Sequence, residues 1–300
     1  MYTVLGATGH TGSIVANRLL DKGKKVRVVG RDAKRLAAFT SRGAEAFAAG
    51  TLDAETVSQA FAGAEAAYVM MPPDPTSENY RSFQCHTGDA IAKALETNGV
   101  KHAVVLSSFG ADKSDKAGPI SGLHGVEMRL NQIDALNVLY LRAGYFMENV
   151  LTQIGIIQNF GIMAGPVEAE LPLPMIATKD IGAAAADALL RLDFTGKQTQ
   201  ELQGHGDLSY IEAAKIIGEG IGKPGLAYVR LPDDQVIQGM TSMGISKNFA
   251  ALIIEMSNAL NSGHVKALEP RSAKNTTPTP LEQFVREIFV PAYKGQAATA

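Results

Sequence analysis

The first twelve residues, Met1-Tyr-Thr-Val-Leu-Gly6-Ala-Thr-Gly9-His-Thr-Gly12, decide how the rest of the chain is interpreted. Tyr2 to Leu5 form a short apolar run with a β-branched centre, which is typical of a buried strand. After the third glycine, residues 13–20 carry apolar side chains on one face of a predicted helix. The stretch therefore predicts a strand, a glycine-rich turn and a helix.

The three glycines follow one another at intervals of three residues. Gly6 allows a tight turn, Gly9 lets the backbone approach a pyrophosphate, and Gly12 lets the helix pack closely on the strand. Free N–H groups and the helix dipole favour phosphate at the helix start. The spacing is GxxGxxG rather than GxGxxG, so an ordinary βα turn that needs glycine remains an alternative. We expect the dinucleotide phosphates to contact Gly6, Thr8, Gly9, His10, Thr11 and Gly12.

Basic residues follow the second predicted strand, Val26 to Val29. In a dinucleotide-binding fold, an acid at this point binds the ribose 2′-OH of NAD, whereas an arginine accommodates the 2′-phosphate of NADP. Arg31 comes first, and Lys34 and Arg35 lie one turn into the next helix. We assign Asp32 to the helix N-cap. The pattern favours NADP(H) over NAD(H), with Arg31 and Lys34 as ligands; a solvated helix end is the alternative.

Strands and helices alternate as far as residue 150. Further strands are predicted at residues 44–49, 64–71, 102–107 and 138–141, each separated from the next by a helix. Such alternation predicts an α/β fold with a doubly wound parallel sheet, the Rossmann fold. The helix predicted before the last of these strands runs from Leu123 to Ala135.

Beyond residue 150 the pattern becomes helix-rich. Residues 160–166 and 171–175 are predicted to be irregular, and residues 200–203 are predicted to add a seventh strand. We expect a cofactor domain at 1–150, to which 177–204 return. A smaller, mostly helical substrate lobe is expected at 151–176 and 205–293, and a disordered tail at 294–300.

Composition excludes several classes of protein. The 300 residues are 46% hydrophobic and 19% charged, which is typical of a soluble globular protein. A net charge of −2 gives no electrostatic basis for binding nucleic acid or an anionic membrane, and no apolar run is long enough to span one.

Cys85, the single cysteine, is expected on the apolar face of a helix. The histidines lack metal-ligand spacing. We expect a cytoplasmic protein without a metal ion.

Residues at the carboxyl ends of the strands are the remaining candidates, because open α/β sheets bind ligands there. Ser107 either contacts the nicotinamide or simply ends its strand. The expected cofactor contacts beyond the glycine loop and the basic residues are Met71, Pro72, Ser107 and Gly144. A pocket that favours a flat, apolar or aromatic acceptor is expected to be lined by Ser108, Phe109, Tyr145, Phe146 and Asn149.

Together, several motifs resemble the NmrA-like family of atypical, extended short-chain dehydrogenases/reductases, which is related to isoflavone-reductase-like proteins and NADPH quinone reductases. The resemblance extends over almost the whole chain. It rests on residues 6–12, 99–108, 142–149, 180–182 and 277–281, and on His124-x-x-Glu127. It implies a Rossmann domain that binds NADP(H), or sometimes NAD(H), beneath a small C-terminal lobe. Family members include quinone and dye reductases and regulators that bind the cofactor without turning it over.

One departure from the related dehydrogenases bears on mechanism. Those enzymes carry a Tyr-x-x-x-Lys pair on the helix after the fifth strand, but residues 123–135 contain neither Tyr nor Lys. In similar isoflavone-type reductases a lysine stands near the start of this helix, at the position of His124. His124 is therefore the candidate catalytic residue, as a proton donor with a suitable ordinary pKa. Packing or capping of the helix is the alternative role.

The sequence thus favours an NADPH-dependent reductase that transfers hydride to a small quinone, carbonyl or enone-type acceptor. The cofactor carries the hydride, so one positioned proton donor suffices, and a quinone product can take its protons from water. The alternative is a non-catalytic regulator that senses NADP(H) and binds a protein partner. A small-molecule acceptor and a monomer or homodimer are expected.

Overall fold

A seven-stranded parallel sheet forms the centre of the molecule in the computed structural model, which describes residues 1–50 and 52–296. The strand order is β10-β6-β5-β4-β1-β2-β3. The strands are β1 (Tyr2–Val4), β2 (Val26–Gly30), β3 (Glu45–Ala48), β4 (Ala66–Val69), β5 (His102–Ser108), β6 (Asn137–Ala143) and β10 (Lys197–Leu202). The predicted doubly wound α/β fold is confirmed.

Strand β1 occupies the point where the strand order reverses. Tyr2 is in register with Val26 of β2 on one side and with Ala66 of β4 on the other. Because all pairings are parallel, the carboxyl ends of β1, β2, β4, β5 and β6 meet at one edge. This edge, beside β1, is where doubly wound sheets bind ligands.

Six helices cover the two faces of the sheet. One face packs against α1 (His10–Asp21), α2 (Ala33–Thr40) and α7 (Thr178–Arg191), and the other against α3 (Ala54–Phe61), α4 (Tyr80–Thr97) and α5 (Pro119–Asn131). Alternate residues of each strand enter the two cores: Val4 and Val28 face α1, whereas Leu5 and Val29 face α3. Burying each of these side chains stabilises the folded protein by about 1.5–3 kcal/mol relative to leaving the side chain exposed.

The remaining chain builds a third core beside the carboxyl edge. It contains a three-stranded and a two-stranded sheet. The strands are β7 (Tyr145–Phe146), β8 (Met163–Gly165), β9 (Leu173–Ile176), β11 (Gly206–Leu208) and β12 (Tyr228–Arg230). The helices are a 3₁₀ helix (Met147–Gln153), α6 (Ile154–Phe160), α8 (Tyr210–Gly220), α9 (Asp233–Ser242), α10 (Lys247–Asn261) and a last helix of α11 (Leu281–Phe284), a π segment (Val285–Phe289) and α12 (Val290–Tyr293).

Several predicted elements need correction. Residues 160–166 and 171–175 are not irregular, since they contain β8 and most of β9, and the strand predicted to reach Met71 ends at Val69. Helix α5 begins at Pro119, four residues before the predicted start. Cys85 lies on α4 but is exposed, because the apolar face of that helix lies elsewhere. The seventh strand is present as β10. Of the predicted tail, residues 297–300 lie outside the described residues.

Candidate functional site

The glycine loop joins β1 to α1 at the reversal point of the sheet. Gly6 adopts φ +64°, a conformation that L side chains rarely adopt. A Cβ atom on Gly12 would stand 2.3 Å from the carbonyl oxygen of Gly6, so only glycine lets α1 begin this close to the loop. Gly9 is exposed, and its backbone N–H donates to the carbonyl of Gly6. The turn thus presents open backbone at its tip.

The first turn of α1 supplies hydrogen-bond donors for an anion. Gly9 is the N-cap, and within the described residues no side chain caps this helix end. Unsatisfied N–H groups and the helix dipole together fit a pyrophosphate. His10 is exposed beside them. Thr11 is buried and accepts a hydrogen bond from the Tyr68 hydroxyl at 2.8 Å, so its side chain ties the start of α1 to β4. The loop fits the dinucleotide expected from the sequence.

Three basic side chains border the loop after β2. Arg31, Lys34 and Arg35 are all exposed. Arg35 donates from Nη2 to the carbonyl of Thr8 at 2.7 Å, which brings its guanidinium against the glycine loop. Asp32 caps α2 by accepting from the backbone N–H of Lys34 at 2.8 Å, as the sequence predicts. Asp32 is therefore engaged by the start of α2, and the contact of Arg35 places a cation beside the glycine loop.

A second helix also begins at this end of the site. The carboxylate of Glu148 accepts from the backbone N–H and the hydroxyl of Thr178, the first residue of α7. Burial raises the pKa of Glu148, although these hydrogen bonds and the charge of His10 oppose the shift. Glu148 thus satisfies the start of α7 and faces the same histidine that stands at the start of α1.

His124 lies on α5, about one turn beyond its first residue, and is half-buried. Its Nδ1 is 2.8 Å from the carbonyl oxygen of Ala111 in the β5–α5 loop. Because a carbonyl only accepts hydrogen bonds, Nδ1 carries the proton in this contact. The other ring nitrogen, Nε2, is the one that remains for an acceptor or a solvent proton.

Ser107, at the end of β5, is 3% exposed and donates its hydroxyl proton to Oε1 of Glu127 at 2.6 Å. Arg142 on β6 donates to the same carboxylate from Nε at 3.1 Å and from Nη2 at 2.6 Å. These hydrogen bonds raise the pKa of Arg142. Ser107 therefore belongs to a buried polar cluster, which favours the structural alternative over a direct cofactor contact.

Asp112 stands at the border of that cluster. Burial alone raises the pKa of this carboxyl group, but the hydrogen bond from Lys113 and the charges of Lys113 and Arg142 outweigh it and hold the pKa below its ordinary value. Nζ of Lys113 lies 2.7 Å from Oδ2 of Asp112. Asp112 is therefore an anion at neutral pH, directly after the residue whose carbonyl contacts His124.

The other predicted contacts separate into open and packed positions. Met71, Pro72 and Ser108 are half-buried at the carboxyl ends of β4 and β5. Phe109 is 5% exposed and packs in a small cluster with Val265, so its ring faces protein. A Cβ atom on Gly144 would stand 2.3 Å from the carbonyl oxygen of Pro174, so close backbone packing requires glycine at this position.

Aromatic residues follow β6 where a pocket is expected. The hydroxyl groups of Tyr145 and Tyr210 are 2.8 Å apart, and burial raises the pKa of both. The Asn149 side chain is close enough to Tyr145 to oppose the rise of its pKa. Phe146 packs at the border of the core that α1 and α7 share. Tyr145 and Asn149 thus lie together, whereas the Phe146 side chain packs against the core of the parallel sheet.

Sequence reasoning did not assign roles to Arg35, Glu148 or Tyr210. Arg35 belongs to the same basic group after the second strand as Arg31 and Lys34, so a local signal for it was present. Glu148 and Tyr210 contact partners 30 and 65 residues away in the chain, and no local pattern indicates such pairs.

No helix in residues 1–50 and 52–296 has the length and hydropathy needed to cross a bilayer. In the same part of the chain, no group of three or more His, Cys, Asp and Glu side chains is placed to hold a metal ion.

A doubly wound sheet with a glycine loop at its reversal point defines a Rossmann-type protein of the dinucleotide-binding class. The chain belongs to the NmrA-like family, whose profile matches residues 2–285. The resemblance drawn from the motifs is confirmed.

Relatives of known description have similar length. The chain is 27% identical over 256 residues to an NAD(P)H azoreductase of Xenophilus azovorans, covering 85% of this chain and 86% of that protein. An NADPH-dependent quinone oxidoreductase of Escherichia coli, solved with NADPH, has a TM-score of 0.79 at 20% identity, covering 96% of this chain and 100% of that chain. Citrobacter triphenylmethane reductase with NADP(H) has a TM-score of 0.76 at 19% identity, covering 95% and 99%. The two solved structures show the likeness of fold.

Proposed function

We propose that the protein is an NADPH-dependent reductase that delivers hydride to a small quinone, carbonyl or enone-type acceptor. The observation that carries the proposal is the cradle at the glycine loop, where a Cβ atom on Gly12 would collide with Gly6 and the first turn of α1 has no side-chain cap. The azoreductase relative and the two reductases of similar fold support the same class of reaction.

This chain's residues bind and orient the reactants. The first turn of α1 would hold the pyrophosphate of the cofactor, and Arg31, Lys34 and Arg35 would hold the 2′-phosphate. When bound, NADPH supplies the hydride. Nε2 of His124 donates a proton to the reduced oxygen, which requires the imidazolium form because Nδ1 stays bonded to Ala111. Ser108 and Tyr145 line the acceptor side.

Activity with a panel of aldehydes, enones and quinones tests the proposed reaction. We expect NADPH oxidation with at least one class, measured as loss of absorbance. Replacement H124A should lower kcat by about 100-fold for carbonyl acceptors, because they need a proton from the protein. Quinone reduction should change much less, because water protonates the product. No turnover on any acceptor would contradict the reductase, and an unchanged carbonyl rate in H124A would exclude His124 as the proton donor.

Binding of NADPH and NADH tests the assignment of the cofactor. Both R31A and R35A should weaken NADPH binding by about tenfold or more, because each removes a cation from the 2′-phosphate. R31A should leave NADH binding nearly unchanged, whereas R35A also loses the hydrogen bond to the Thr8 carbonyl and should weaken NADH binding as well, though by less than NADPH binding. Titration calorimetry gives both affinities. The matched control is R191A, which removes an exposed arginine at the far end of α7. Equal losses for the two cofactors would contradict NADP(H) preference.

A regulator that senses NADP(H) is the second candidate, favoured by one observation. Helix α5 contains neither Tyr nor Lys, so the usual dehydrogenase pair is missing. The regulator requires NADP⁺ and NADPH to bind with different affinities and a protein partner to bind in a cofactor-dependent way. Turnover in the acceptor panel, together with equal affinities for the two forms, decides against it.

A further inference from the structure

The carboxylate of Glu127 lies inside the protein, 2% exposed, at the carboxyl edge of the sheet. Its Oε1 accepts from Ser107 and from Nε of Arg142, and its Oε2 accepts from Nη2 of Arg142. A buried carboxylate is costly unless its charge and its lone pairs are met, and here a bidentate guanidinium and a hydroxyl meet them. Such a fork tolerates little displacement of either partner.

This cluster ties α5 to two strands at once. Ser107 of β5 and Arg142 of β6 are partners in register, so one carboxylate on α5 bridges neighbouring strands at their ends. Tyr140, two residues earlier on β6, donates to the carbonyl of Glu127 at 3.1 Å and to Asn131 at 2.8 Å. Polar contacts therefore fix both the depth of α5 and its rotation about its own axis.

His124 stands three residues before Glu127, on the same side of the helix. Its Nδ1 contacts the carbonyl of Ala111, and the backbone N–H of Ala111 donates to the carbonyl of Ser108 at 3.1 Å. The imidazole is thus carried by α5, whereas its partner is carried by the loop after β5. The contact forms only if the helix keeps its place relative to that strand.

Arg142 interacts with both segments that form the contact between His124 and Ala111, namely α5 and the loop after β5. It pairs with Glu127 on α5, and its charge also acts on Asp112, the neighbour of Ala111 in the loop. One guanidinium on β6 therefore relates the helix that carries His124 to the loop that carries its carbonyl partner.

We propose that Glu127, held by Arg142 and Ser107, is a positioning residue for His124. It fixes the imidazole with its Nδ1–H on the Ala111 carbonyl and so presents Nε2 to the acceptor. Glu127 itself touches neither acceptor nor cofactor. The proposal deepens the proposed function and rests on it only for the catalytic consequence, because the orientation of the ring is a property of the protein alone.

The ring orientation is read directly from the tautomer of His124. In protein labelled with ¹⁵N-histidine, the two ring nitrogens of neutral His124 have different chemical shifts, and H124A identifies the signal. At pH 8 the full-length protein should show the Nδ1–H tautomer. Replacement E127Q should convert the signal to a mixture of tautomers. The matched control, E219Q on α8, replaces an exposed glutamate and should leave the signal unchanged. A pure Nδ1–H tautomer in folded E127Q would overturn the proposal.

A double-mutant cycle tests the catalytic consequence with a carbonyl acceptor. E127Q should lower kcat by about tenfold or more and change NADPH affinity by less than about twofold. The variant H124A/E127Q should be no slower than H124A, because Glu127 acts through His124. Additive losses would overturn the positioning role. If H124A keeps full activity while E127Q still disturbs the tautomer, the proton-donor role fails and the positioning stands.

Replacement S107A supplies a second variant should E127Q fail to fold. It removes one hydrogen bond from Glu127 and keeps the ion pair with Arg142, so the fold should persist and the tautomer should shift in the same direction by less. A direct contact of Ser107 with the cofactor would instead appear as weaker NADPH binding with an unchanged His124 signal, and that result would overturn the assignment of Ser107 to the Glu127 cluster.

Discussion

Glu148 shows how one residue can serve both the fold and the site. Its carboxylate satisfies the first turn of α7 through Thr178 and faces His10 at the start of α1. Burial raises its pKa even so, which means that the folded protein favours the protonated form relative to the unfolded chain. Its contribution to stability is therefore fully present below the ordinary pKa of a glutamate and is lost as pH rises through the raised value.

Urea unfolding of wild type and E148Q between pH 3 and pH 7 tests this pH dependence of stability. The amide still accepts from Thr178 but does not titrate, so the stability of wild type relative to E148Q should fall as pH rises. Glu212 is the control with the opposite sign. Its hydrogen bonds with Ser209 lower its pKa. The stability of wild type relative to E212Q should therefore increase as pH rises through the lowered pKa of Glu212 in the folded protein. Parallel trends for the two residues would contradict the assignment for Glu148.

Among the elements, those with a strong local signal were predicted from the sequence. The β1–loop–α1 unit was predicted because its glycines and its apolar periods agree. The helix expected between the strands predicted at residues 64–71 and 102–107 is present as α4, and Gly99, with φ +62°, follows its C-cap. In both cases a turn of special geometry coincides with a change of hydrophobic period.

The short strands of the third core escaped prediction for a physical reason. Strand β8 has three residues, and β9 has four with Pro174 among them. Such runs have no stable structure alone and become strands only because β12 and β11 pair with them. The start of α5 was missed because Gly118, Pro119 and Gly122 surround its first apolar residue, Ile120, and interrupt the helical pattern there.

The cofactor loop of the candidate site was predicted, whereas the polar cluster behind it was not. Glycines and basic residues are local signals. Glu127 lies 20 residues from Ser107 and 15 from Arg142, and only the sheet register brings the three together. The position of Ser107 at a strand end is compatible with a ligand contact, and only the folded structure shows that its hydroxyl proton is donated to Glu127.

At the scale of the molecule, the C-terminal region crosses the carboxyl edge of the sheet and is fastened there by α10. Ser246, its N-cap, donates from its backbone N–H to the carbonyl of Pro75 and from its hydroxyl to the carbonyl of Ser77. Glu255 pairs with Arg81 of α4 at 2.8 Å. Helix α9 differs: of its ten residues, all of them described, none is fully buried.

Hydrogen exchange should therefore separate two neighbouring helices. Amides of α9 should exchange at least about tenfold faster than those of α10, because little apolar packing holds α9 in place. Replacement S246A should speed exchange in the first turn of α10 by about fivefold, which corresponds to the loss of an N-cap worth about 1 kcal/mol. The control S209A removes the N-cap of α8 and should leave α10 unchanged. Equal protection of α9 and α10 would contradict this division, because it would show that α9 is held in place as firmly as α10.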